Sequence, residues 1–311
     1  MRIEKYHQNM KADWNAFNKA AKNPLFMFDR NFIEYHSDRF ADSSFMFYDD
    51  DELVALLPCN VKENALYSHG GLTFGGFIVD RNMKQHRMND CVLSLKNYMG
   101  EEKIEKIVYK AIPYIYANQH AQEDLYSLFL NGGSLLKVEP STVVNLRNPI
   151  KMPKGRKAQV SRAKREGVEV VESEDFVSFI ELENSVLQKR HGKNAAHTGE
   201  ELSLLHGRFP ENIKLYVAMY RKKMLAGAVL FVYDDVVHTQ YLAADDTARE
   251  IGALDLVVAA LIEKYRDSKI CLDFGISSEG EDGRFLNEGL IHQKEGFGGR
   301  TVVYQTWEMR P

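Results

Sequence analysis

The apolar positions of this chain fall into short alternating runs separated by charged turns, and the runs recur in two sets. FMFYDDDELVALLP (residues 45–58) is an apolar strand, an acidic turn and a second apolar strand, which is a hairpin signal. LYVAMYRKKMLAGAVLFVY (215–233) repeats the plan with a basic turn. A third strand is expected after each hairpin, in ALYSHGGLTFGGFIV (65–79) and VVHTQYLAA (236–244). Helices follow over roughly 82–99 and 249–266, then strands in KIVYKAI (106–112) and KICLDFGI (269–276). Each set closes on a helix, a glycine pair and a strand: LYSLFLNGGSLLKVEPSTVVNL in one, FLNEGLIHQKEGFGGRTVVYQTW in the other. Corresponding features lie about 170 residues apart, so a structural duplication explains the pattern better than two unrelated halves.

Between the sets, NPIKMPKGRKAQVSRAKREGVEVVE (148–172) carries two prolines and Gly155, which mark a linker. A short helix is expected from about Ser161 to Glu166, ended by Gly167 and followed by a strand. The next helix, 174–189, places Phe176, Phe179, Ile180, Leu182, Val186 and Leu187 on one buried face. QKRHGKNAAHTGEEL (188–202) reads as a polar loop. The expected domains are therefore 1–148 and 149–311, with the final strand a candidate for sharing with the first domain.

Composition narrows the class. Over 311 residues, 44% hydrophobic and 27% charged describe an ordinary globular protein, and the length suits two domains. A net charge of −4 argues against a general nucleic-acid coat, so any such contact must come from a local basic patch. Cys59, Cys91 and Cys271 are odd in number and far apart, which points to free thiols in a reducing compartment and to no metal site. The start lacks an apolar core of signal-peptide length, and no run approaches the ~18 apolar residues of a membrane span. A cytoplasmic location is expected. A Walker loop, a G-x-S-x-G elbow, an H-E-x-x-H pair and a zinc ribbon are all missing, which sets aside the common hydrolases and triphosphatases.

Several stretches hold residues suited to chemistry. In 236–265 a strand passes through a polar turn into a helix, with Gly252 at the expected helix start. Open N–H groups there would suit a phosphate, and Arg249 would add a charge-assisted contact. Close helix–sheet packing is the competing reason for that glycine. The run from Lys151 to Arg165, including Arg156 and Lys157, holds seven cations and no acid, a match for a polyphosphate or an RNA backbone. A solvated helix explains it as well. His191 and His197 lie in the polar loop as candidates for a base or a substrate contact. SHGGLTFGGF (68–77) packs four glycines around Phe74, a composition that permits close approach to a ligand or a plain hairpin. Lys294 stands alone among Gly289, Gly296, Gly298 and Gly299.

The order of elements in the second half, with R-E-I-G-A at 249–253, resembles the GNAT acyltransferase fold. In that family a Q/R-x-x-G-x-G/A turn holds the coenzyme A pyrophosphate. The resemblance assigns this contact to Arg249, Gly252 and Ala253, while Leu254 stands where a small residue is expected. Q-K-E-G-F-G (293–298) is similar to the F-K-x-x-F-G segment of the FemABX peptidyltransferases, which are tandem GNAT proteins; Gln293 replaces the usual Phe. The resemblance spans nearly the whole chain. It implies two GNAT-like α/β domains, each a mixed, mainly antiparallel sheet flanked by helices. It also implies transfer of an acyl group to an amine, with Lys294 in the acyl channel, where its charge would face a developing oxyanion. Asp273, at a strand end, joins His191 and His197 as a candidate base, and Tyr241 is a candidate proton donor. The donor implied is acetyl-CoA or another acyl-CoA, with aminoacyl-tRNA as the alternative. A small, nucleotide-linked acceptor of cell-envelope or polysaccharide synthesis fits, with no metal and no stable protein partner. A non-catalytic binding module is the remaining alternative.

Overall fold

A computed structural model describes residues 1–311, the side chain of His191 excepted. The chain forms two compact units. The first is Met1–Glu139 with Ser278–Phe285 and Val303–Pro311; the second is Pro140–Ser277 with Leu286–Val302. The units thus change over at Glu139 and Pro140, and the first also takes two later segments. The boundary expected at residue 148 remains a proposal.

In the first unit, Arg2–Lys5, Phe45–Asp49, Glu52–Leu57 and Ile78–Val79 form an antiparallel sheet in that order. The hairpin expected over 45–58 is present. Lys106–Lys110 pairs antiparallel with Thr306–Met309 and parallel with Ala65–Tyr67. The helix expected over 82–99 is Gln85–Glu101, and it buries Met88, Cys91, Val92, Leu95 and Met99. The single strand expected over 65–79 is instead two, Ala65–Tyr67 and Ile78–Val79, in different sheets. The glycine-rich segment between them has no regular structure and lets the chain change sheets. Phe74 is 2% exposed and packs on the rings of Tyr116 and Tyr304, so it serves the core of this unit.

The second unit is built from α1 (Lys154–Arg165), β1 (Glu169–Ser173), α2 (Phe176–His191), α3 (Gly199–Arg208), β2 (Ile213–Tyr220), β3 (Lys223–Val232), β4 (Val236–Ala244), α4 (Asp246–Ile251), α5 (Ala253–Tyr265), β5 (Cys271–Ile276) and α6 (Glu288–Glu295). Strands β1 to β4 are antiparallel neighbours, β5 lies parallel to β4, and Ser141–Asn145 closes antiparallel on β5. Alternation along β3 sends its side chains to two layers. Ala226, Ala228 and Leu230 join Leu256, Val257 and Leu261 of α5, while Gly227 faces the ring of Phe179 on α2. Both units are therefore α/β, with mainly antiparallel sheets flanked by helices; the first divides its main strands between two sheets, and the second keeps them in one.

Three local expectations change. α1 begins at Lys154, directly after Pro153, so Gly155 lies inside a helix and the linker is shorter than read. The stretch 188–202 is not one loop: its first residues finish α2, and Thr198 opens α3 with a capping box to Glu201. The helix expected over 249–266 is two helices broken at Gly252, whose φ is +78°. A Cβ there would also lie 2.6 Å from the carbonyl oxygen of Gln159 on α1. Gly252→Ala should therefore cost about 2 kcal/mol of stability without any ligand, read by urea denaturation. An unchanged midpoint would contradict this packing role.

Candidate functional site

Strands β4 and β5 are paired at three positions, Val236–Cys271, Val237–Leu272 and His238–Asp273. Beyond that they part. β4 bulges at Gln240, where its register on β3 shifts, and β5 shifts on its other neighbour between Asp273 and Ile276, with Gly275 at φ +73°. A cavity of about 350 Å³ opens at this point, lined by Leu242 and Ala244 of β4 and Phe274 just beyond the paired part of β5. Its other walls are Arg156 and Gln159 of α1, Val186 and Arg190 of α2, Arg249 of α4, Leu254, Asp255 and Val258 of α5, and Leu290, Gln293 and Lys294 of α6, with Phe297.

Positive charge dominates this lining. Arg156 is committed: its Nη1 lies 2.5 Å from Asp255 Oδ1, and its guanidinium sits 4.5 Å over the Phe297 ring. Arg249 donates to Asp246 Oδ1 (2.7 Å) and to the Ala244 carbonyl (2.8 Å), and stays partly exposed. Arg190 makes no ion pair among the described residues. The Oε1 atom of Gln159 is buried with no hydrogen-bond partner. Surplus guanidinium charge, an apolar floor and an unpaired buried acceptor suit a ligand with an anionic part, an apolar arm and an N–H or O–H donor.

Lys294 is 7% exposed, and its Nζ donates to the carbonyls of Gly275 (2.9 Å) and Ile276 (2.7 Å). An ammonium has three donors, so one remains for the cavity. Burial pulls its pKa down to about 8, opposed by the charge of Asp273. Asp273 is fully buried and accepts from Ser141 Oγ (2.5 Å) and Gly275 N (2.9 Å), with His238 Nδ1 at 3.2 Å. The hydroxyl of Tyr241 shares a 2.7 Å hydrogen bond with His197 Nδ1 and accepts from the His197 backbone N–H. Its pKa is raised, first by burial and further by the charge of Glu183.

Of the residues expected from the sequence, Arg156, Arg249 and Lys294 line one cavity, and Tyr241 and His197 are joined to each other. Lys157 is exposed on α1 and away from the lining. Gly252 and Ala253 do not offer an open helix start: both are buried, and Gly252 is pressed on α1. The close neighbour of that glycine is a helix, α1, where the sequence suggested the sheet. The side chain of His191 lies outside the described residues. Arg190, Gln159 and Glu183 are not among the residues expected from the sequence. Glu183 had a signal, since it is an acid four residues after Phe179 on an otherwise apolar helix face. Arg190 and Gln159 had none, because only the fold brings α1 and α2 to the parted strands.

Residues 154–282 match the family described as Acetyltransferase (GNAT) domain. No curated protein matches the chain by sequence. Among solved structures, FemX aligns with a TM-score of 0.71 at 13% identity, over 100% of this chain and 98% of that one. L-PGS from Bacillus licheniformis gives 0.64 at 13% identity, over 99% and 92%. A tandem GNAT protein from the clavulanic acid biosynthesis pathway gives 0.55 at 10% identity, over 99% and 98%. The chain thus carries a GNAT-type acyltransferase domain at 154–282 within a FemX-like, tandem GNAT fold.

Proposed function

We propose that this protein is an N-acyltransferase whose acyl donor, an acyl-coenzyme A, binds where β4 and β5 part. The observation that carries the reading is the cavity at that parting, within a domain of GNAT type. Leu242, Leu254, Val258 and Phe274 suit an apolar pantetheine arm, and Arg190 and Arg249 suit phosphates. The donor supplies an activated thioester carbonyl. Lys294 stabilises the negative oxygen that develops when an amine adds to it, through its third N–H and its charge. Tyr241 is the proposed proton source for the departing sulfur. Asp273, already accepting from Ser141 and Gly275, holds His238 and favours the charged form of Lys294. The FemABX resemblance supports a small amine acceptor, such as a nucleotide-linked amino sugar or a peptidoglycan-type precursor, and with it a cytoplasmic place in envelope synthesis.

A second reading has its own observation. Lys154, Lys157, Arg162, Lys164 and Arg165 are exposed on α1 and make no ion pair among the described residues, a stripe suited to RNA. On that reading the donor is an aminoacyl-tRNA, and no helix among the described residues is long and apolar enough to cross a membrane in either case.

Acetyl-CoA at ~100 times its Kd should stabilise the protein by about 2.7 kcal/mol, read as a rise in Tm. Arg190→Ala with Arg249→Ala should lose most of that rise. A full shift in the double variant would remove the phosphate assignment, and a shift with aminoacyl-tRNA alone would favour the second reading. The oxyanion role needs Lys294 charged. Its folded pKa is depressed to about 8, so the rate should fall as pH rises through that value. Lys294→Met should lose about 10²- to 10³-fold in kcat. Wild-type turnover in that variant would leave Lys294 a purely structural tie.

A further inference from the structure

The inner face of α2 runs Phe176, Phe179, Ile180, all at most 4% exposed, and then meets Glu183, 7% exposed. An acid at this position gains nothing from packing, and among the described residues its carboxylate has no hydrogen bond and no ion pair. Buried carboxylates are ordinarily paired or bonded, so its isolation points to a partner that arrives with the reaction. Its position fits. Val186 and Arg190, three and seven residues further along the same helix, line the cavity at the parted strands. On its other side, Glu183 is close enough to Tyr241 for its charge to act on that hydroxyl.

We propose that Glu183 is the base that takes the proton of the attacking amine. The proposal rests on the acyl-transfer reading above. The nitrogen lone pair of a neutral amine adds to the thioester carbonyl; the C–N bond forms and the C–S bond breaks. The amine proton passes to the Glu183 carboxylate, directly or through one water, and the departing thiolate takes a proton from Tyr241 or solvent. Glu183 then returns its proton to Tyr241 or solvent, so the products are an amide and a free thiol. The other acids and bases nearby are already occupied. Asp273 is fully buried under its donors, and His197 is bonded to Tyr241.

The titratable group facing Glu183 is Tyr241 on β4, which is itself bonded to His197; Arg190, two turns along the same helix, lines the cavity. β3 presents apolar side chains on this face. On α3, Glu201 is tied to Thr198, and His206 faces Phe176 and Glu174. Burial raises the Glu183 pKa to about 7. The active carboxylate therefore forms, and the rate rises, as pH climbs through that value. Without donor the sign is the reverse for stability. The folded state holds the proton more tightly than the unfolded one, so wild type loses stability relative to Glu183→Gln as pH rises from about 5 to about 8.

The test uses the full chain, acetyl-CoA and hydroxylamine as the amine probe. Glu183→Gln should show the wild-type rise in Tm with acetyl-CoA, acetylate hydroxylamine at least about 100-fold more slowly, and lose the inflection near pH 7. Glu183→Asp should keep the inflection and recover part of the rate. A Glu183→Gln rate close to wild type with the same inflection would overturn the assignment, as would a stability difference that ignores pH. Failure of wild type to bind acetyl-CoA is read separately, in Tm, and would remove the acyl-transfer reading beneath it.

Discussion

Beyond His238 and Asp273 the two central strands of the second unit stop bonding to each other, and the candidate site answers to that parting. Backbone groups that leave a ladder need other partners, since buried carbonyls are rarely left unpaired. Lys294 takes two of them, at Gly275 and Ile276. The same contact that closes the fold at the end of β5 thus brings an ammonium to the gap in the ladder between β4 and β5. Asp273 sits just before the gap, fully buried, and its donors hold it there while its charge offsets the burial of the lysine.

The surrounding helices then complete two chemically different sides. Toward α5 the lining is apolar, with guanidinium groups delivered by α1, α2 and α4. On the α2 side, outside the lining itself, lies a titratable set: Tyr241 bonded to His197, and Glu183 one helical turn before the cavity-lining Val186. The proposed acyl donor has an anionic body, an apolar arm and a reactive end, which this sequence of environments would suit. An amine nucleophile needs a proton acceptor and low competition from water, which burial at α2 provides. Two titratable groups are shifted toward each other by the same cause: burial raises Glu183 and lowers Lys294, leaving both near neutrality, as the proposed base and oxyanion roles require.

The hairpins, the repeat and the exchange of strands with helices were legible because each rests on local periodicity. VVHTQYLAA spans β4 with the bounds read from the sequence, and the basic turn of β2 and β3 fell where expected. Lys294 and Arg249 were found through short motifs. The differences at Gly252 and Phe74 have a common reason. Gly252 offers two readings in the sequence, an opening for a ligand or close packing on the sheet; its neighbour is Gln159 on α1, far away in sequence, and close approach of two helices leaves no local mark. Phe74 sat among glycines that looked permissive, while Tyr116 and Tyr304 fold over it. Thr198 and Glu201, inside the stretch expected as a polar loop, carry the sequence signature of a helix start.

The central claim is that the gap between β4 and β5 is the seat of the acyl donor. A crystal structure with coenzyme A tests it most directly. The account predicts the pantetheine chain between Leu242 and Phe274, its sulfur on the Lys294 side, and phosphate within reach of Arg190 or Arg249. Coenzyme A bound away from the gap, or a gap closed by the protein's own side chains in that complex, would contradict it.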